Sequence, residues 1–73
     1  MYKLVKTQYQ KDGTRASNLT EYETLREAEA AFYYEMWYAY SQGIGLNIII
    51  LGENNENIEI GNVEIEGGDL NEG

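Results

Sequence analysis

The chain contains neither cysteine nor histidine. Disulfide staples and Cys/His zinc sites, which often hold small domains together, are therefore excluded. The commonest general base and the best side-chain nucleophile are missing too, so an enzyme would have to work with a pair of carboxylates. Basic residues are few and one-sided: Lys3, Lys6, Lys11, Arg15 and Arg26 are all there are. Phosphate-based nucleic-acid binding needs a concentrated basic patch, and an anionic bilayer attracts the same kind of cluster. Neither a nucleic acid nor a membrane is expected as a direct partner. No apolar run approaches the ~20 residues of a membrane span. The opening MYKLVK lacks the hydrophobic core of a signal peptide, so a cytoplasmic location is expected. On that expectation the Asn18-Leu19-Thr20 sequon is a chance match.

Phosphate and calcium loops are absent as well. Gly43-Ile44-Gly45-Leu46-Asn47 has neither the lysine nor the spacing of a P-loop. Glu53-Asn54-Asn55-Glu56-Asn57 is rich in oxygen but lacks the ligand order and distal glutamate of an EF-hand. No cofactor, no metal and no catalytic residue is expected.

What the chain has in excess is acid and aromatic surface. Net charge is −8, and from Glu27 onward there are ten acids and no base. A protein with a basic surface is the electrostatically natural partner. At 73 residues the chain makes one domain. So short a chain buries a limited share of its surface, and without disulfides or metal it must rely on a compact core or on a homodimer.

Residues Thr24 to Gln42 carry the helical signal and six of the nine aromatic side chains. Thr24-Leu25-Arg26-Glu27 fits a capping box, and Gly43 suits the left-handed position after the last turn. About 18 residues at 1.5 Å give a rod of roughly 27 Å. At about 100° per residue, Leu25, Ala28, Phe32, Met36 and Ala39 form one stripe, the expected core face. Tyr33, Trp37 and Tyr40 adjoin it, and Tyr34 and Tyr38 continue to the back. Such rings can simply tolerate water or fold over sheet edges. Alternatively, Tyr33, Tyr34, Trp37 and Tyr38 form a contact surface, since Tyr and Trp bring large area with few rotatable bonds.

Tyr2–Gln10 and Thr14–Tyr22 read as strands joined at Asp12-Gly13, a pair suited to a two-residue type I′ turn. That turn would set Lys11 opposite Thr14 and Tyr9 opposite Ala16. The unbroken Ile48-Ile49-Ile50-Leu51 reads as a central strand buried on both sides. Glu53–Glu56 reads as a turn and Asn57–Glu66 as the last strand, with a β-bulge at Gly61. In that phase Glu59, Glu64 and Glu66 line the outward side, as the electrostatic part of a partner-binding site. They could imitate a row of DNA phosphates, or simply maintain solubility. The expected fold is α+β, ββαββ: a four-stranded, mostly antiparallel sheet with one long helix on one face, in a single domain of residues 1–66. Residues 67–73 read as a flexible acidic tail.

The first half, MYKLVKTQYQKDGTRASNLTEYETLREAEAAFYYEM, resembles small bacteriophage and mobile-element proteins of β-hairpin–helix–β-hairpin type. Shared features are a Tyr-Lys strand, a Lys-Asp-Gly turn and the run Tyr22-Glu23-Thr24-Leu25-Arg26-Glu27-Ala28 leading into an aromatic helix. The resemblance implies phage-like provenance and transfers no functional residue. It points to non-enzymatic inhibitors of host defence proteins, anti-CRISPR proteins among them, or to a self-associating phage accessory protein.

Overall fold

The computed structural model describes residues 1–65. Strands β1 (Tyr2–Tyr9) and β2 (Arg15–Tyr22) form a hairpin, helix α1 (Leu25–Gln42) crosses back over the sheet, and β3 (Gly45–Leu51) and β4 (Asn57–Val63) form a second hairpin. The strands lie in the order β2-β1-β3-β4, antiparallel throughout. The expected ββαββ fold is the observed one. Residues 66–73, which include Glu66 and the tail expected from residue 67, lie outside the described residues.

The first hairpin closes through three residues rather than two. Gly13 N–H donates to Gln10 O at 3.0 Å and Gln10 N–H to Thr14 O at 2.8 Å. Tyr9 therefore faces Arg15, not Ala16. The loop is a type I turn completed by a left-handed residue; Gly13, at φ 93°, fills that place. Asp12 explains why the longer loop wins over the type I′ turn. Its Oδ1 accepts from the Thr14 N–H at 2.9 Å and from the Thr14 hydroxyl at 2.6 Å, bonds that hold its carboxyl below the ordinary aspartate value. A shift of one residue turns every side chain of β2 to the opposite face of the sheet. The second hairpin uses the same geometry, with Asn55 at φ 63° in the left-handed place and Gly52 bonded to Glu56 and Asn55.

The helix ends are those expected. Thr24 Oγ1 accepts from the Glu27 N–H at 3.1 Å. At the other end Gly43 turns left-handed at φ 71°, donating to Tyr40 O, while the Ile44 N–H reaches Ala39 O at 3.0 Å. That pair of bonds is a Schellman motif. On the inner stripe Ala28, Phe32 and Ala39 are buried, and Leu25 and Met36 pack against them.

The core lies between this stripe and one face of the sheet. Leu46, Ile48 and Ile50 are fully buried there, with Leu4 beside them. Burying each such side chain contributes about 1.5–3 kcal/mol. The isoleucine run is not covered on both sides as expected. Ile49 and Leu51 are half-buried and Asn47 is exposed, because α1 supplies a layer on one face only.

The irregularity of the second hairpin also falls elsewhere than expected. The register shifts between Ile50 and Leu51, which face Glu59 and Asn57, so the extra residue is Ile58. Gly61 sits in regular pairing opposite Ile48. Its role is close approach: a Cβ there would lie 2.6 Å from Met36 Sδ and 2.8 Å from Phe32 Cζ. With the shift placed before Glu59, the phase of Glu59 and Ile60 is inverted, while Val63 keeps the inward place expected of it. Glu59, Gly61 and Val63 face α1, and Ile60 points outward. Past Val63 the chain leaves the ladder, and Ile65 lies over Gly45 against Tyr9.

Candidate protein-binding surface

The inner stripe of α1 leaves the remaining aromatic side chains facing solvent. Exposure runs from 39% at Tyr38 through 62% at Trp37 to 77% at Tyr40, with Tyr33 and Tyr34 between. Three of these rings form a cluster around Tyr34. The Tyr34 ring lies 6.0 Å from that of Trp37 and stacks on Tyr38 at 6.4 Å with 20° between planes. Tyr33 meets the buried Phe32 edge-on at 5.1 Å, so the patch is anchored to the core at that point. Spacing of three and four residues along a helix brings such side chains together. Tyr40, which sequence reasoning placed on the flank but left out of the site, belongs to the same surface.

The acidic residues are arranged differently from expectation. Glu59 does not line the outward side of the sheet. Its Oε2 accepts from the Tyr33 hydroxyl, which ties Glu59 to the edge of the ring patch. Glu64 lies beyond the end of β4, in a hollow of about 440 Å³ shared with Tyr40, Ser41 and Ile65. Thus Glu59 meets the aromatic surface at Tyr33, whereas the Glu64 carboxylate accepts from Asn62 Nδ2 at 3.2 Å, on the side of β4 turned away from α1. They do not form a phosphate-like row on the sheet, and Glu66 lies outside the described residues. The extra residue at Ile58 turns Glu59 toward the helix, and residue alternation gave no signal of it.

A further carboxyl joins the Tyr33 edge. Glu29 stands one turn before Tyr33, beside Glu59. The hydrogen bond its protonated form can make to Glu59, then desolvation, then the neighbouring charge, hold the Glu29 carboxyl above the ordinary glutamate value. The Tyr33 hydroxyl is raised by the same carboxylate, chiefly through its hydrogen bond to it. Glu59 Oε1 is buried without a hydrogen-bond partner, so a proton on Glu29 gives this carboxylate a second donor. On the opposite flank Lys6 and Glu35, both largely covered, pair at 2.9 Å.

Two carboxylates and a phenol do not make a metal site here. Among the described residues no three His, Cys, Asp or Glu side chains come close enough to hold an ion. No helix among them is long and apolar enough to cross a membrane. No family model matches the chain, and no curated protein or solved structure matches it either.

Proposed function

We propose that this chain is a non-enzymatic protein-binding module that docks the outer face of α1 onto a basic surface of another protein. The observation that carries this reading is the exposure of Tyr33, Tyr34, Trp37 and Tyr38 along α1, with the Glu59 carboxylate bonded to Tyr33 at their edge and Glu64 in the hollow beside Tyr40. Rings supply the buried anchors of an interface. Lysine and arginine of a partner are attracted both by the ring faces and by these carboxylates. The net charge of −8 steers such a partner in. The phage-like opening of the chain makes a host defence protein in the bacterial cytosol the proposed target, with inhibition by direct binding.

The test is matched capture. The immobilised chain and its Trp37→Ala variant are exposed to bacterial lysate, and retained proteins are identified by mass spectrometry. The target is expected on the first and lost from the second, with affinity reduced by about 2 kcal/mol or more. Circular dichroism must show the variant folded. Equal retention by both proteins refutes the site.

A second reading is a self-associating phage accessory protein with no inhibitory role. It is favoured by the uncovered apolar residues on the far side of the sheet, where Ile60 is 66% exposed. Self-association in the absence of any captured protein selects it over the first.

A further inference from the structure

Among the described residues, nothing covers the middle of the sheet face turned away from α1. Across it run Leu19, Val5, Ile49 and Ile60, one from each strand, in directly paired positions. Leu19 and Ile60 are exposed, and Val5 and Ile49 are half-buried. Paired side chains in an antiparallel sheet stand about 5 Å apart, so the four form one apolar bar over the width of the sheet. A polar row lies to one side of it: Ser17, Thr7, Asn47 and Asn62. The Thr7 and Ser17 hydroxyls share a 3.0 Å hydrogen bond.

We propose that this face is a homodimer interface, on which two copies of the chain pack sheet against sheet. Charge selects a second copy over another partner. Of the described acids, Glu21 is turned to this side and Glu64 reaches its edge through Asn62, against Lys3 and Arg15. Among the described residues it is a broad face without an acidic excess, and so a place where two chains of charge −8 can meet without strong repulsion. A basic target has little to attract it here.

The pattern is also self-complementary. A two-fold axis parallel to the strands, between β1 and β3, exchanges β1 with β3 and β2 with β4. It sets Leu19 against Ile60 of the second copy and Val5 against Ile49, the isologous arrangement a closed dimer requires. The polar row meets the polar row. Arg15, at the β2 edge, comes to the β4 edge of the other copy, where Asn62 Nδ2 holds Glu64 Oε2 at 3.2 Å.

The size of the face sets the strength. Four strands about 4.8 Å apart, at about 3.3 Å per residue, cover roughly 450 Å². Stable complexes bury about 800 Å² per partner, so the dimer is a weak one that forms at high protein concentration.

This inference does not depend on the reading of α1, and one experiment separates the two. Sedimentation equilibrium of the full chain from about 10 µM to about 1 mM is expected to show the mass rising from one copy toward two. Ile60→Lys and Leu19→Lys change exposed side chains, so the fold is retained, and each is expected to weaken association at least about tenfold. Trp37→Ala is expected to leave it unchanged. A chain still monomeric at the highest concentration overturns the proposal. So does association that Trp37→Ala abolishes and Ile60→Lys spares, which moves the contact to the helix. If the chain is monomeric and Ile60→Lys instead reduces capture of a lysate protein, the face belongs to that protein and the homodimer is wrong.

Discussion

The Tyr33 hydroxyl donates to Glu59 Oε2 across the boundary between α1 and β4. This bond joins a solvent-facing ring of the helix to a carboxylate that faces it from the edge of the sheet. Glu29 shares the same carboxylate, so three titratable groups from two elements meet at one point.

The first prediction concerns pH. Glu29 binds its proton more tightly in the folded chain than in the unfolded one, where the value is about 4.3. The stability it contributes is complete below that unfolded value and is lost as pH rises through the higher folded value. Urea midpoints should therefore rise as pH falls from 7 toward about 4.3. Asp12, shifted down, acts in the opposite sense: its contribution holds above about 3.9 and is lost as pH falls through its lower folded value. Glu59→Gln should stabilise the chain at pH 7 and flatten the rise. Glu64→Gln removes one charge without touching Glu29 and serves as the control. If both variants keep the full rise, the shared proton is not its source.

Trp37→Ala and Tyr34→Ala should leave stability nearly intact. Both side chains are more than half exposed, with Tyr34 lying between Trp37 and the partly exposed Tyr38, and exposed substitutions are usually within about 0.5 kcal/mol. Thermal unfolding checks this. A loss of several kcal/mol would place these rings in the fold rather than in a contact surface.

Two glycines should fail for different reasons. Gly13→Ala meets no atom within 4 Å but must hold a left-handed conformation, at a cost of about 1–2 kcal/mol. Gly61→Ala keeps an ordinary extended backbone but pushes into Phe32, Met36 and Ile48, at a cost of about 1–3 kcal/mol. Denaturant titration of Gly61→Ala combined with Met36→Ala separates the mechanisms. Making room at Met36 should relieve the steric part of the Gly61→Ala cost and none of the Gly13→Ala cost.

Thr24→Ala should cost about 1 kcal/mol, because the Glu27 N–H loses its acceptor. Thr24→Asp should retain most of the stability. Equal losses in both would mean that the cap contributes little.

Much of the fold was legible in the residues because it rests on local chemistry. The Thr24 cap, the Gly43 stop and the Leu25-Ala28-Phe32-Met36-Ala39 stripe are written at helical spacing, and the structure has each of them where expected. The isoleucine run was equally plain as a strand, though not that only its Leu46, Ile48 and Ile50 side is covered. The exposed ring patch follows from the same helical geometry, since a stripe committed to the core leaves Tyr34 and Trp37 outside.

Sequence by itself determined the presence of two hairpins, the helix and its inner face, because turn residues, caps and periodicity act over a few neighbours, but not the register of the first hairpin, where Tyr9 faces Arg15. Tertiary structure decided the phase of β4. Gly61 reads as a bulge in a strand considered alone, but it is the only residue small enough to lie under Phe32 and Met36. That long-range fit fixes which side of β4 faces the helix. It draws Glu59 to Tyr33 and sends Ile60 outward to complete the apolar bar, and a two-residue period read along one strand carries no information about either.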